Sequence, residues 1–188
     1  MPVPVTRLSL VSHATTAAMR RARFNSDEPV DDPGLRQLGH VRLENRADTV
    51  LIAPERRTRM TAEGLGLHGP IAPELSDISY GTWAGSSMED LPETTLASWL
   101  TDTSTTPPDG ESIDDLFGRV GRWMSGVAAD PRRICAVTHP SVIRAVVVRA
   151  LDAPSSSFWR VDIPPLTTTT LHCRNGRWTL RTVAEKII

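Results

Sequence analysis

Apolar residues recur along this chain in two periods. Leu8 and Leu10 alternate with polar neighbours before Val11, the two-residue period of a strand, and predict one over Val5–Val11. Thr49-Val50-Leu51-Ile52-Ala53 and Ile134-Cys135-Ala136-Val137-Thr138 are short continuous runs, the pattern of buried strands. Ile113, Leu116, Phe117, Val120, Met124 and Val127 follow the helical period, and Ser112 with Asp115 resembles a capping box at its start, Asp standing for the usual Glu. Leu35, Leu38 and Val41 give a shorter helical stripe, and Ile143, Val146, Val147 and Ala150 give another, entered through His139-Pro140-Ser141. Ser12–Thr16 ends the first strand and opens a helix, and Pro54 starts a helix directly after the second strand. Phe24–Gly34 reads as a polar loop. Thr167–Cys173 and Trp178–Val183 flank Asn175-Gly176, the dipeptide of a tight hairpin. Ile71–Asp109 shows no period and holds Pro73, Pro92, Pro107 and Pro108, so an irregular cap over residues 71–109 is expected, the kind of long loop that compact domains keep for function.

Strands alternating with helices predict a single α/β domain over residues 1–188, with a mostly parallel, doubly wound sheet and helices on both faces. The late hairpin makes at least one strand antiparallel. The 188 residues suffice to bury a core without staples. Lys plus Arg is 21 and Asp plus Glu is 22, which argues against a nucleic-acid partner. Lys186 is the only lysine, so the positive charge is almost entirely guanidinium, the better fork for phosphate or carboxylate. No apolar run is long enough to span a membrane, and Met1–Arg7 lacks the pattern of a secretory signal. Cys135 and Cys173 fall in predicted strands and match no disulfide framework or zinc spacing, so a reduced, cytoplasmic setting with no metal is expected.

In open α/β sheets ligands sit beyond the carboxyl ends of the strands. The first strand ends in His13, the second in Arg56, Arg57 and Arg59, and the third in His139. A lone histidine at a strand end is usually structural, and arginine is disfavoured at a helix start unless an anion is present. Two imidazoles and a guanidinium delivered by three junctions, each at a helix start, instead fit a dianion such as phosphate. No GxxxxGK[ST], GxGxxG or GxSxG segment offers another scheme.

These segments resemble, in order, the motifs of the histidine phosphatase superfamily, which includes the cofactor-dependent phosphoglycerate mutases. Ser12-His13-Ala14 is similar to its Arg-His-Gly, and Ala53-Pro54-Glu55-Arg56-Arg57-Thr58-Arg59-Met60-Thr61-Ala62 to its Ser-Pro-x-x-Arg-Ala-x-Gln-Thr-Ala. Asp77 stands four residues before the first glycine of Gly81-Thr82-Trp83-Ala84-Gly85, Gly110-Glu111-Ser112 matches a Gly-Glu-Ser, and His139-Pro140 replaces His-Gly. The resemblance implies a phosphoglycerate mutase-like fold and a phosphomonoesterase acting on a small phosphorylated metabolite. His13 would be the nucleophile, Arg57 and His139 would hold the phosphoryl oxygens, and Asp77 would be the general acid and base. No cofactor and no metal are implied, nor a nucleic-acid or membrane partner; a homodimer is left open. A mutase is the weaker expectation, because family mutases are longer and shield the intermediate from water. A small phosphatase similar to the α-ribazole phosphatases of cobalamin synthesis is one assignment.

The departures matter. Ser12 removes the arginine before the nucleophile, Ala14 and Pro140 replace glycines, and Asp77 is one methylene shorter than the common Glu. Ser12 and Arg20 are therefore candidates for the substrate-binding set: Ser12 by position, and Arg20 because two helical turns return it to the His13 face. Arg21, Arg23 and Arg144 are further candidates. The competing expectation is a degenerate member that binds a phosphorylated ligand or partner without turnover. Geometry discriminates the two: an enzyme needs both histidines on one anion with Asp77 beside it, whereas an Asp77 salt-bridged away from the pocket favours the binder. Among the tryptophans, Trp83 is expected to be structural, Trp123 core or rim, and Trp99 exposed to substrate or partner.

Overall fold

A computed structural model describes residues 4–44 and 46–188. The readings that begin at residue 1, the domain limit and the Met1–Arg7 segment, extend over residues 1–3, outside the described residues. Five strands form one sheet in the order β2-β3-β1-β4-β5: β1 (Thr6–Ser12), β2 (Thr49–Ile52), β3 (Arg133–Thr138), β4 (Thr167–Arg174) and β5 (Arg177–Lys186). β2, β3 and β1 are mutually parallel, while β4 runs antiparallel to both β1 and β5, so the sheet is mixed through the predicted hairpin. Asn175 and Gly176 both take positive φ, 50° and 75°, which matches the twist of that hairpin.

The alternation in the strands decides which helices cover which face. Leu8, Leu10, Ile134, Ala136 and Leu171 point to one side and pack with α5 (Ile113–Ala128) and α6 (Pro140–Ala150). Val11, Ile52, Cys135 and Val137 point to the other, against α3 (Arg56–Gly64) through Ala62. Helices therefore lie on both faces, as expected. Two further helices precede β2, the four-residue α1 (Ala17–Arg20) and α2 (Asp32–His40). The Ser112–Asp115 capping box at α5 is complete, with each residue bonding the other's backbone N–H.

Two expectations need correction. β2 is not buried on both faces: it is an edge strand, and only Ile52 reaches the buried class. Its outer edge is covered instead by the chain that follows α3, where the Ile52 N–H donates to Pro70 O and the Ala72 N–H to Ile52 O. That approach requires Gly69, since a Cβ there would stand 2.1 Å from Val50 O. Residues 71–109 are not wholly irregular either, for they contain α4 (Glu93–Thr101). Trp99 is its only buried residue, so the helix has a single anchor and no stripe to betray it. Trp99 is only 1% exposed, in an aromatic cluster with Phe24, Tyr80, Trp83 and Trp159, so it presents no open surface to a partner, although it helps to wall a cleft. No helix among the described residues is long and apolar enough to cross a membrane.

Candidate active site

β1 and β3 are parallel neighbours in register, Ser12 beside Thr138, so their carboxyl ends present consecutive residues side by side. His13 and His139 follow, with ring centroids 5.2 Å apart and planes at 64°. Both are fully buried. The His13 N–H donates to Thr138 O at 3.1 Å, which carries the register one residue past the strands.

The two rings are held differently. His13 Nδ1 lies 2.7 Å from Ala14 O, and a carbonyl only accepts, so Nδ1 carries the proton and Nε2 keeps its lone pair. Nε2 is buried and unpartnered. Burial, then the charges of His139 and Arg57, lower the His13 pKa to about 3, so the ring is neutral over the physiological range. His139 Nε2 donates to Glu55 Oε2 at 2.6 Å, while its buried Nδ1 has no hydrogen-bond partner and faces Asp77 Oδ2 at 3.6 Å.

Arg57 reaches the same place from the first turn of α3, its side chain 1% exposed. Its guanidinium donates to Ser26 O at 2.5 Å and to Asp77 Oδ2 at 2.6 Å, leaving Nε without a partner. Thr61 ties this helix to the loop after β1, donating to Arg57 O and accepting from the Ala14 N–H at 3.0 Å. Asp77 also accepts from Asn25 and from the Ser141 hydroxyl at the start of α6. Burial would raise the Asp77 pKa, but the charges of His139 and Arg57 and the Ser141 hydrogen bond outweigh it and hold the carboxyl well below the usual range. The Asp77 segment is clamped from α5. Arg119 donates to the carbonyls of Glu74 and Ser76 and pairs with Glu111 at 2.8 Å. The Gly110-Glu111-Ser112 motif thus acquires three physical tasks. Gly110 admits Ser79 O where a Cβ would stand at 2.7 Å, Glu111 holds Arg119, and Ser112 caps α5. Gly81 is equally constrained, at φ 51° with Pro108 O in the place of a Cβ.

Of the residues singled out in the sequence, the fold gathers His13, Arg57, Asp77 and His139, with Ser12 at the strand end beneath them. Ser12 is fully buried and its hydroxyl is unpartnered; nothing in the structure explains it further. Arg20 does not join the cluster. It is half exposed and paired with Asp31 at 3.0 Å, because α1 ends after one turn and does not carry residue 20 back over His13. Arg23 and Arg144 instead flank a cleft of about 470 Å³ that opens beside Asp77, Asn25 and Ser141 and is walled by Tyr80, Trp99, Phe158 and Trp159. Arg144 is fixed there by Nε to Val161 O at 2.8 Å and lies over the Phe158 and Trp159 rings. Asp77 is ion-paired, but inside the site and lining this cleft. Glu55, Asn25, Arg119 and Ser141 were not singled out. Only Glu55 had a signal, an acid two residues before Arg57 where a helix start favours Ser, Thr, Asp or Asn. Among the described residues no group of three His, Cys, Asp or Glu is placed to hold a metal ion.

The sequence profile of the histidine phosphatase superfamily (branch 1) matches residues 8–186. The chain belongs to that superfamily. An adenosylcobalamin/α-ribazole phosphatase of Salmonella typhimurium is 29% identical over 172 residues, 84% of this chain and 85% of that protein. A bifunctional protein of Mycobacterium tuberculosis is 29% identical over 173 residues, 84% of this chain but 48% of the relative, so this histidine phosphatase chain spans about half that protein's length. The solved α-ribazole phosphatase of Shigella flexneri shares the fold, with a TM-score of 0.84 at 23% identity over 97% of this chain and 98% of that one.

Proposed function

We propose that this chain is a phosphomonoesterase that acts on a small phosphorylated metabolite through a phosphohistidine on His13. The observation that carries the reading is the state of His13. It is a neutral ring whose Nδ1 proton is fixed on a backbone carbonyl, with a buried, unpartnered Nε2 lone pair beside a guanidinium and a second imidazole. Membership of the superfamily and the relatives' names support the reaction class.

The Nε2 lone pair attacks phosphorus, forming the P–N bond as the P–O bond to the leaving alcohol breaks. Arg57 and His139 carry the charge on the phosphoryl oxygens. In the free site Arg57 spends its charge on Asp77. An arriving phosphate dianion competes for the guanidinium and places negative charge beside the carboxyl, and both effects favour the protonated acid. Asp77 then protonates the leaving oxygen, and afterwards takes a proton from the water that cleaves the P–N bond and restores His13. No step calls for a metal ion. The cleft beside Asp77 has a volume typical of small-molecule sites and would receive the leaving group.

A second reading, phosphate binding without turnover, is favoured by the Arg57–Asp77 pair together with the absent arginine at position 12. One experiment separates them: p-nitrophenyl phosphate turnover with EDTA present, for the wild type and His13→Ala, with acid-labile phosphoenzyme trapped by rapid quench. Turnover and a trapped adduct that vanish in His13→Ala support the phosphatase. Phosphate binding with neither supports the binder.

A further inference from the structure

The loss of the arginine at position 12 leaves Arg57 and His139 as the groups around the phosphoryl position, so the orientation of His139 matters more than it otherwise would. We infer that Glu55 is a positioning residue, whose carboxylate fixes the His139 ring so that Nδ1, not Nε2, faces the reacting phosphoryl group. The inference rests on the phosphohistidine reading for its catalytic meaning but not for its geometry.

Glu55 occupies the N-cap of α3, yet its side chain makes no capping bond there. The Arg56 N–H is taken instead by Asp27 Oδ1 at 2.7 Å. That frees the Glu55 carboxylate to reach into the site, where each oxygen has one task. Oε2 accepts from His139 Nε2 at 2.6 Å, and Oε1 accepts from the Asp77 backbone N–H at 3.0 Å. One side chain thereby sets the ring of the second histidine and the backbone of the acid in a single register. Burial works to raise the Glu55 pKa, but the hydrogen bond and charge of His139 outweigh it and keep the carboxyl ionised. An ionised carboxylate only accepts, so the proton on Nε2 is committed to it. Nδ1 is then the nitrogen left to the site: buried, without a hydrogen-bond partner, 3.6 Å from Asp77 Oδ2 and next to the His13 ring. A carboxylate on one imidazole nitrogen orients the ring and commits that nitrogen, so the other, Nδ1, is the one turned toward the site.

The test is nitrogen-15 NMR of the histidine side chains in the full chain, with the His139 signals identified by their loss in His139→Gln. The wild type is expected to show a His139 Nε2–H proton that is strongly hydrogen-bonded and slow to exchange. Glu55→Gln is expected to lose that signal while remaining folded, which a cooperative melting transition checks. Its kcat on p-nitrophenyl phosphate should fall about 10–100-fold with KM changing less than about threefold. Glu55→Asp, which keeps the charge, should retain the Nε2–H signal and lose less. A wild-type His139 with unprotonated Nε2 overturns the inference, whatever the activity. So does a folded Glu55→Gln variant with the original tautomer and kcat. A wild type that turns over no phosphomonoester sinks the phosphatase reading alone, and the wild-type spectrum then still decides the role of Glu55.

Discussion

The ends of β1 and β3 are built alike, parallel and adjacent, and each presents a buried histidine where the strand gives way to a loop or a helix. They differ in what holds the ring. The β1 histidine is held by a backbone carbonyl, which orients it and adds no net charge. The β3 histidine is held by a carboxylate and stands next to a second one. The sheet supplies the same placement twice, and the partner residue decides the chemical character: an uncharged ring with an unpartnered Nε2 on one side, a ring bonded to a carboxylate on the other.

Removing the β1 ring should have the largest effect. His13→Ala is expected to lower turnover by about 10⁴-fold or more and to abolish the trapped phosphoenzyme, read by quench-flow. Removing the carboxylate that faces the β3 ring should come next. Asp77→Asn is expected to reduce kcat about 10²–10⁴-fold in steady-state assays. It also removes the close partner of the buried Arg57, whose next carboxylate, Glu28 Oε2, stands 3.9 Å away, so chemical denaturation should show a loss of about 3 kcal/mol.

The comparison can be sharpened by acid. The pKa of His13 falls from the ordinary 6.5 to about 3 on folding, so between those values the unfolded chain takes up a proton that the folded chain refuses. This contribution to stability is present above pH 6.5 and is lost as pH falls toward 3. The denaturation midpoints of His13→Ala should therefore depend less on pH across that window than those of the wild type. The smallest effect is expected at the residue the fold leaves outside. Arg20→Ala breaks only a half-exposed pair with Asp31 and should change kcat/KM by less than about twofold.

The placement of the site was legible in the sequence because it follows from strand ends. Runs such as Ile134–Thr138 announce a buried strand, and whatever follows must project from the carboxyl edge, so His13, Arg57 and His139 could be gathered before any coordinates. The order of motifs added Asp77, whose segment has no periodicity of its own. What stayed hidden depends on contacts distant in the chain. α4 is held by one tryptophan rather than a stripe. The length of α1, which settles where Arg20 points, is set by a chain that turns off after four residues. Glu55 shows in the sequence only as an unusual residue at a helix start, and its partner is set by the fold, which brings His139 within 2.6 Å of it.

The strand order also sets a timetable. β1 comes first along the chain but lies in the middle of the sheet, between β3 and β4, which are both made late. A growing chain therefore carries β1 without either neighbour until residue 133 has emerged, and such long-range pairing is slow to form. A nascent or prematurely ended chain that stops short of β3 lacks His139 and keeps an unpaired strand in search of a partner. The histidine pair is then completed in one late step of synthesis, and stalled fragments are prone to aggregation.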